Sequence, residues 1–250
     1  MKQKNTSLQI DHFPIWAWIL TVFCFLVQTS FYFITSFVVE KSNGAIQTYI
    51  PKIPVIDDHI PLIPVFVIVY WYSYFFWIGA TLRIAKTSKQ HFTNWIIAFV
   101  ISESIGFIIF CLYPTTMDRV QEGLFVLADR KDFMSRLLWF TYMHDGGEFG
   151  HNLFPSYHCM FSMSCYMGVR RKEKIPKWKR IYTFVEIILI FMSTLFTKQH
   201  FFMDVIGGIG ISILCNVLVE KWNPGRRFRP RIMDNPDLQD IVDPKSQLLR

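Results

Sequence analysis

The chain carries apolar runs too long and too closely spaced for a water-soluble core. Windows of about 20 predominantly apolar residues, the length that crosses the hydrocarbon of a bilayer, occur near 14–39, 63–85, 92–113, 154–170, 180–198 and 201–220. Six such runs predict an all-α bundle of six transmembrane helices, folded as a single domain over residues 1–250. Composition agrees: 52% apolar and 17% aromatic residues, with 25 Phe, exceed soluble averages. The first run is too long for a signal-peptide core, and no small-residue cleavage pattern follows it before Glu40, so it is expected to stay as a helix.

Charge then predicts orientation, because Lys and Arg are retained on the cytoplasmic side. Lys2 and Lys4 precede the first span, Arg83, Lys86 and Lys89 separate the second from the third, and seven basic residues from Arg170 to Arg180 separate the fourth from the fifth. Lys221, Arg226, Arg227, Arg229 and Arg231 follow the sixth. Both termini, including a tail over 221–250, are therefore expected in the cytoplasm of a plasma-membrane protein. The connections 40–62 and 114–153 and the turn around Lys198 are expected outside. The net charge of +7 sits in these membrane-flanking loops, where anionic head groups and topology account for it without nucleic acid. The five cysteines, all within or at the ends of spans, show no metal-ligand spacing and read as small buried apolar residues.

Three regions are not spans. Residues 40–62 hold Pro51, Pro54 and Pro61 and predict short pieces along the outer surface. From Asp118 to Tyr142, Leu124, Leu127, Leu137 and Leu138 alternate with charged residues, which predicts an amphipathic helix at the outer interface. Beyond Trp222, Pro224, Pro230, Pro236 and Pro244 among charges predict a poorly ordered tail.

Two short segments open the fourth and sixth runs: Phe154-Pro155-Ser156-Tyr157-His158 and Lys198-Gln199-His200-Phe201-Phe202-Met203-Asp204. They bring two histidines and a carboxylate to the same expected edge of the bilayer. His200 and Asp204 are four apart, so on a helix they share a face and the carboxylate can accept a hydrogen bond from one imidazole nitrogen. The other nitrogen is then left to attack. His144, His151 and His158 fall seven apart, but Gly146, Gly147, Gly150 and Pro155 argue against one helix through them and hence against a metal ladder. His144, Asp145 and Glu148 are expected near the substrate mouth. Glu103 and Glu186 lie inside spans, where a carboxyl is costly; an interhelical hydrogen bond is the favoured role and a proton or cation pathway the alternative.

These two segments, with Tyr113-Pro114-Thr115-Thr116-Met117-Asp118-Arg119 before them, resemble the three signature motifs of the type-2 phosphatidic acid phosphatase superfamily, over roughly residues 110–215. Two motifs match well. The first lacks the Lys that would stand at Leu112, and Val120 replaces its usual Pro. The third lacks an Arg, whose position falls on Thr194. The detailed forms are similar to the branch holding bacterial lipid phosphatases and the inositol-phosphorylceramide and sphingomyelin synthases.

The resemblance implies a membrane-embedded lipid phosphate phosphatase. In that chemistry His200 is the nucleophile that forms a phosphohistidine, Asp204 holds its tautomer, and His158 is the general acid for the departing alkoxide and then activates water. Arg119, with a forked pair of hydrogen bonds, Ser156 in a first helical turn, and Lys198, in place of the missing Arg, are the expected phosphate ligands. No metal or other cofactor is called for. One alternative is a phosphotransferase that hands the group to a lipid hydroxyl. A transporter or flippase with vestigial motifs is the alternative of another class, disfavoured because no paired Gly/Pro-interrupted halves are visible.

Overall fold

The computed structural model describes residues 15–42, 44–172 and 174–228. Lys2, Lys4 and the tail from Arg229 onward, on which some of the charge and order expectations rest, lie outside the described residues. The chain is predominantly helical. Its helices are α1 (Ile15–Lys41), α2 (Pro54–Asp57), α3 (Val67–Ala85), α4 (Lys89–Leu112), α5 (Phe133–His144), α6 (Tyr157–Val169), α7 (Lys177–Phe196) and α8 (Phe202–Trp222). The short strands β1 (Thr116–Asp118) and β2 (Phe149–His151) pair antiparallel with Met117 opposite Gly150.

The long helices are apolar on the wrong side for water. On α1 the buried stripe is Ala17, Thr21, Cys24, Gln28, Thr35 and Ser36, while Ile19, Val22, Leu26, Phe33 and Phe37 are exposed. Small and polar groups pack inward and large apolar ones face outward, the arrangement expected where the solvent is lipid. Among the described residues, four helices are long and apolar enough to cross a membrane: Ile15–Lys41, Pro64–Ala85, Lys89–Leu112 and Phe202–Trp222. The other two expected spans form helices but differ in kind. α6 has 13 residues, a rise of about 20 Å, and α7 carries Lys177, Lys179, Arg180 and Glu186 in its 20 residues.

α6 is the axis of the bundle. Eleven of its 13 residues are buried, among α3, α4, α7 and α8. Its Phe161 stacks on Trp77 of α3 at 4.8 Å, and Gly168 lets Ile84 and Trp95 approach where a Cβ would collide. The basic connections meet at one end, where Lys174 donates to the Thr87 carbonyl at 3.0 Å and Arg170 pairs with Glu220 at 3.4 Å. The histidine segments lie at the other end.

That other end is roofed by a second apolar cluster of Val67, Met117, Leu124, Leu127, Leu138, Tyr142, Leu153 and Phe201. The stretch from Asp118 to Tyr142 is not one amphipathic helix. Gly123, at φ +68°, turns the chain after β1, a 3₁₀ segment covers Leu124–Asp129, and Asp132 caps a fresh start of α5 by accepting from the Ser135 N–H at 2.9 Å. Glu103 also differs from expectation. It is fully buried in α4, and neither carboxyl oxygen has a hydrogen-bond partner, so the expected interhelical bond is not made.

Candidate active site

The first turns of α6 and α8 are bound to each other. The Ser156 N–H donates to the Asp204 carbonyl at 3.0 Å, and Gly208, one turn further along α8, leaves room for the Ser156 carbonyl. Ser156 is the N-cap of α6, its hydroxyl accepting from the Cys159 N–H at 3.4 Å, and it is fully buried. His158 therefore stands in the first turn of α6, against an aromatic wall. Its ring stacks on Tyr70 at 4.3 Å, with Tyr74 and Trp77 at 5.7 and 5.1 Å, and its Nε2 has no partner.

His200 reaches the site differently from the sequence expectation. It is not on the helix with Asp204 but in the turn before it, with α8 starting at Phe202 and Asp204 at the third helical position. The turn is built by two N–H groups, of Gln199 and His200, that share the Thr194 carbonyl at 3.0 and 3.1 Å, and by Lys198 at φ +50°. The Tyr142 hydroxyl holds it from above through the Thr197 carbonyl at 2.5 Å. Asp204, fully buried, accepts from the Phe201 N–H at 2.7 Å, and the same Oδ2 lies 3.5 Å from His200 Nδ1. Its other carboxylate oxygen has no partner. His200 Nδ1 makes no hydrogen bond at this distance, and Nε2 is the ring nitrogen farther from the carboxylate.

The two imidazole rings are 6.3 Å apart between centroids, and both line a cavity of about 250 Å³. Tyr32, Tyr70, Trp71, Tyr74, Asn152 and Gln199 share its wall, and His144 and Asp145 also line it. Glu148 does not line it. His144, His151 and His158 sit on α5, β2 and α6, and among the described residues no three His, Cys, Asp or Glu side chains gather as a metal site.

Residues 46–218 match a family model described as the PAP2 superfamily. The chain belongs to the PAP2 superfamily. Members of this superfamily are phosphoric ester hydrolases or transferases. No curated protein and no solved structure matches the chain.

The remaining motif residues of this PAP2-superfamily chain are arranged unlike the sequence expectation. Arg119 is buried, and its Nη1 donates to the carbonyls of Tyr142, Asp145 and Gly147. Its Nη2 donates to Asp145 Oδ2 at 3.0 Å and to Gln199 Oε1 at 3.1 Å, so the fork is already committed, and the side chain does not line the cavity. Lys198 turns away. Its ammonium donates to the Asp57 carbonyl at 2.9 Å, and partial burial lowers its pKa from the ordinary lysine value. Asp57 itself accepts from the Phe202 N–H at 2.8 Å and the Ile53 N–H at 2.6 Å, tying α2 to the start of α8. Thr194, where the usual Arg is missing, contributes only its carbonyl to the His200 turn.

Sequence reasoning missed Gln199, Tyr32 and Asn152. Gln199 was visible as the neighbour of His200, but which neighbour turns inward depends on the left-handed Lys198. Asn152 stands two residues before the Phe154-Pro155-Ser156 segment, yet its contacts, from Nδ2 to the Tyr32 carbonyl and Ser36 Oγ at 2.9 and 2.8 Å, reach back across more than 100 residues.

Proposed function

We propose that this protein is a membrane-embedded lipid phosphate phosphatase that works through a phosphohistidine on His200. The observation that carries the reading is one cavity lined by both His158 and His200, with a buried carboxylate behind the second. His200 Nε2 forms the N–P bond as the P–O bond to the lipid breaks, and the departing alkoxide takes the proton of His158. Neutral His158 then removes a proton from water, whose oxygen forms the new bond to phosphorus while the N–P bond breaks and phosphate leaves. Asp204 orients His200 and stabilises the positive charge its ring gains when phosphorylated. These steps draw on side chains alone.

In this reading α1, α3, α4, α7 and α8 cross a plasma membrane and α6 spans part of it, with both termini cytoplasmic and the site extracytoplasmic. The basic connections at the end opposite the histidines favour that orientation. Because α6 rises only about 20 Å against a hydrocarbon core of about 30 Å, His158 at its start lies below the outer surface, under the roof built by α5 and the strands. A second reading, transfer of the phosphoryl group to a lipid hydroxyl, is favoured by a further cavity of about 260 Å³ that shares Tyr32, Phe33, His144, Asp145 and His151 with the first.

The test is phosphate release from a panel of lipid phosphates by the purified protein with chelator present, beside His158→Ala and His200→Ala. Release that both substitutions abolish supports hydrolysis. A new phospholipid formed only when ceramide or diacylglycerol is supplied supports transfer. No product from any lipid, with transport intact in His200→Ala, sinks both. Because His200 must be neutral while His158 is protonated, activity should be bell-shaped in pH, and a flat profile from about pH 5 to 9 counts against the mechanism.

A further inference from the structure

The end of the bundle opposite the histidines carries a groove that the proposed chemistry does not use. It encloses about 360 Å³ between α6 and α8. Met163 and Met167 of α6 stand four residues apart, as do Ile213 and Val217 of α8, so each pair forms one helix face. The two helices are joined at this level where Asn216 Nδ2 donates to Ser164 Oγ at 3.4 Å. The next residues of α8, Leu214 and Leu218, are more than half exposed, as expected of a surface that meets hydrocarbon.

Along α6 the wall changes from apolar to charged. Tyr166, Arg170 and Arg171 complete it, and Arg171 lies about 12 Å beyond Met163 at helical rise. Flexible thioethers followed over that distance by two guanidinium groups match a phospholipid, whose chains and phosphate come in the same order. The guanidinium groups are not fully engaged. Arg170 Nη2 reaches Glu220 Oε2 only at 3.4 Å, a partly exposed pair, while Arg170 Nε is buried without a hydrogen-bond partner. Arg171 is exposed, and among the described residues it has no ion pair. Arg180 of α7 adds a third positive charge, its Nη1 donating to the Arg170 carbonyl at 3.5 Å and its Nε also without a partner. Three arginines against one paired carboxylate leave this place positive, and a buried N–H is costly until it finds an acceptor. A zwitterionic head group brings its own cation there, whereas a negatively charged one does not.

We propose that this groove binds an anionic phospholipid, with an acyl chain along Met163, Met167, Ile213 and Val217 and the phosphate accepting from Arg170 Nε and Arg171. Basic pockets between membrane helices are suited to such head groups. The lipid is a structural ligand and not a substrate, because Arg170 stands about 18 Å along the helix from His158. Held at the end of α6, it fastens the helix that forms the axis of the bundle. The inference rests on the membrane-spanning reading and is independent of the phosphohistidine.

The experiment is native mass spectrometry of the full chain, delipidated in a neutral detergent and titrated with dioleoyl phosphatidylglycerol or dioleoyl phosphatidylcholine. The parent should bind the anionic lipid more tightly. Arg171→Gln should cut that preference about 5-fold, the contribution of one basic residue at a membrane surface. Lys177→Gln removes an equal charge from an exposed position outside the groove and should leave the preference unchanged. Val217→Trp fills the apolar half without altering charge and should abolish the tight binding. Equal affinity of the parent for the two lipids, or equal losses from Arg171→Gln and Lys177→Gln, overturns the proposal. So does competition by glycerol 1-phosphate as strong as that by the whole lipid, which would make this a site for a soluble anion. Phosphate release from lipid phosphates is assayed separately, so failure of the lipid site and failure of the enzymatic reading are told apart.

Discussion

At the scale of single residues the site depends on where protons and partners are held. Asp204 is fully buried, with one oxygen accepting from the Phe201 N–H and lying 3.5 Å from His200 Nδ1. In the proposed mechanism Asp204→Asn keeps the shape but removes the charge that orients His200, so kcat should fall about 10²- to 10⁴-fold with KM little changed. Steady-state kinetics check this, and a loss confined to KM would argue for a binding role. The His200–Asp204 pair and His158 were legible in the sequence because each belongs to a short local motif. Lys198 and Gln199 were not distinguishable there. Adjacent residues in an irregular turn point in different directions, and the φ of Lys198 sets which one faces the cavity.

At the scale of elements, the turn that carries His200 is a junction clamped from both sides. The Asp57 carboxylate accepts from two backbone N–H groups, one of them at the first residue of α8. Asp57→Ala should cost about 1–3 kcal/mol for each buried N–H left without a partner, read as a lower midpoint of thermal unfolding in detergent. Activity should fall with it, because the same clamp seats His200. Across the site, α6 and α8 touch through Gly208, where a Cβ would sit 2.5 Å from the Ser156 carbonyl. Gly208→Val should separate the two first turns and abolish activity, while Gly210→Ala, whose Cβ meets nothing within 4 Å, should be silent. Equal effects of the two substitutions would contradict this packing account. Helix positions were readable from hydropathy, but the break of 118–142 into a strand, a 3₁₀ segment and α5 was not. An alternating pattern of leucine and charge is compatible with either form, and here Gly123 and Asp132 decide it.

For the whole molecule, stability should depend on pH through His151, which lies on β2 at the wall shared by the two cavities. Burial lowers its pKa from the usual imidazole value. Above about pH 6.5 the ring is neutral folded or unfolded; below it the unfolded chain takes a proton that the folded chain resists, so stability falls as pH falls. The thermal midpoint of the parent should drop between pH 7.5 and 5.5 by more than that of His151→Gln. Equal slopes would show that other groups govern the acid response.

The apolar runs, the basic connections and the two histidine motifs were all readable along the chain, because hydropathy, charge and short spacings are local properties. The recruitment of Gln199, the commitment of Arg119 to backbone carbonyls and Asp145, and the clamp from Asp57 to Phe202 were not. Each joins groups between 23 and 145 residues apart. Which partner satisfies a buried donor is settled only when packing has excluded water and brought distant segments together.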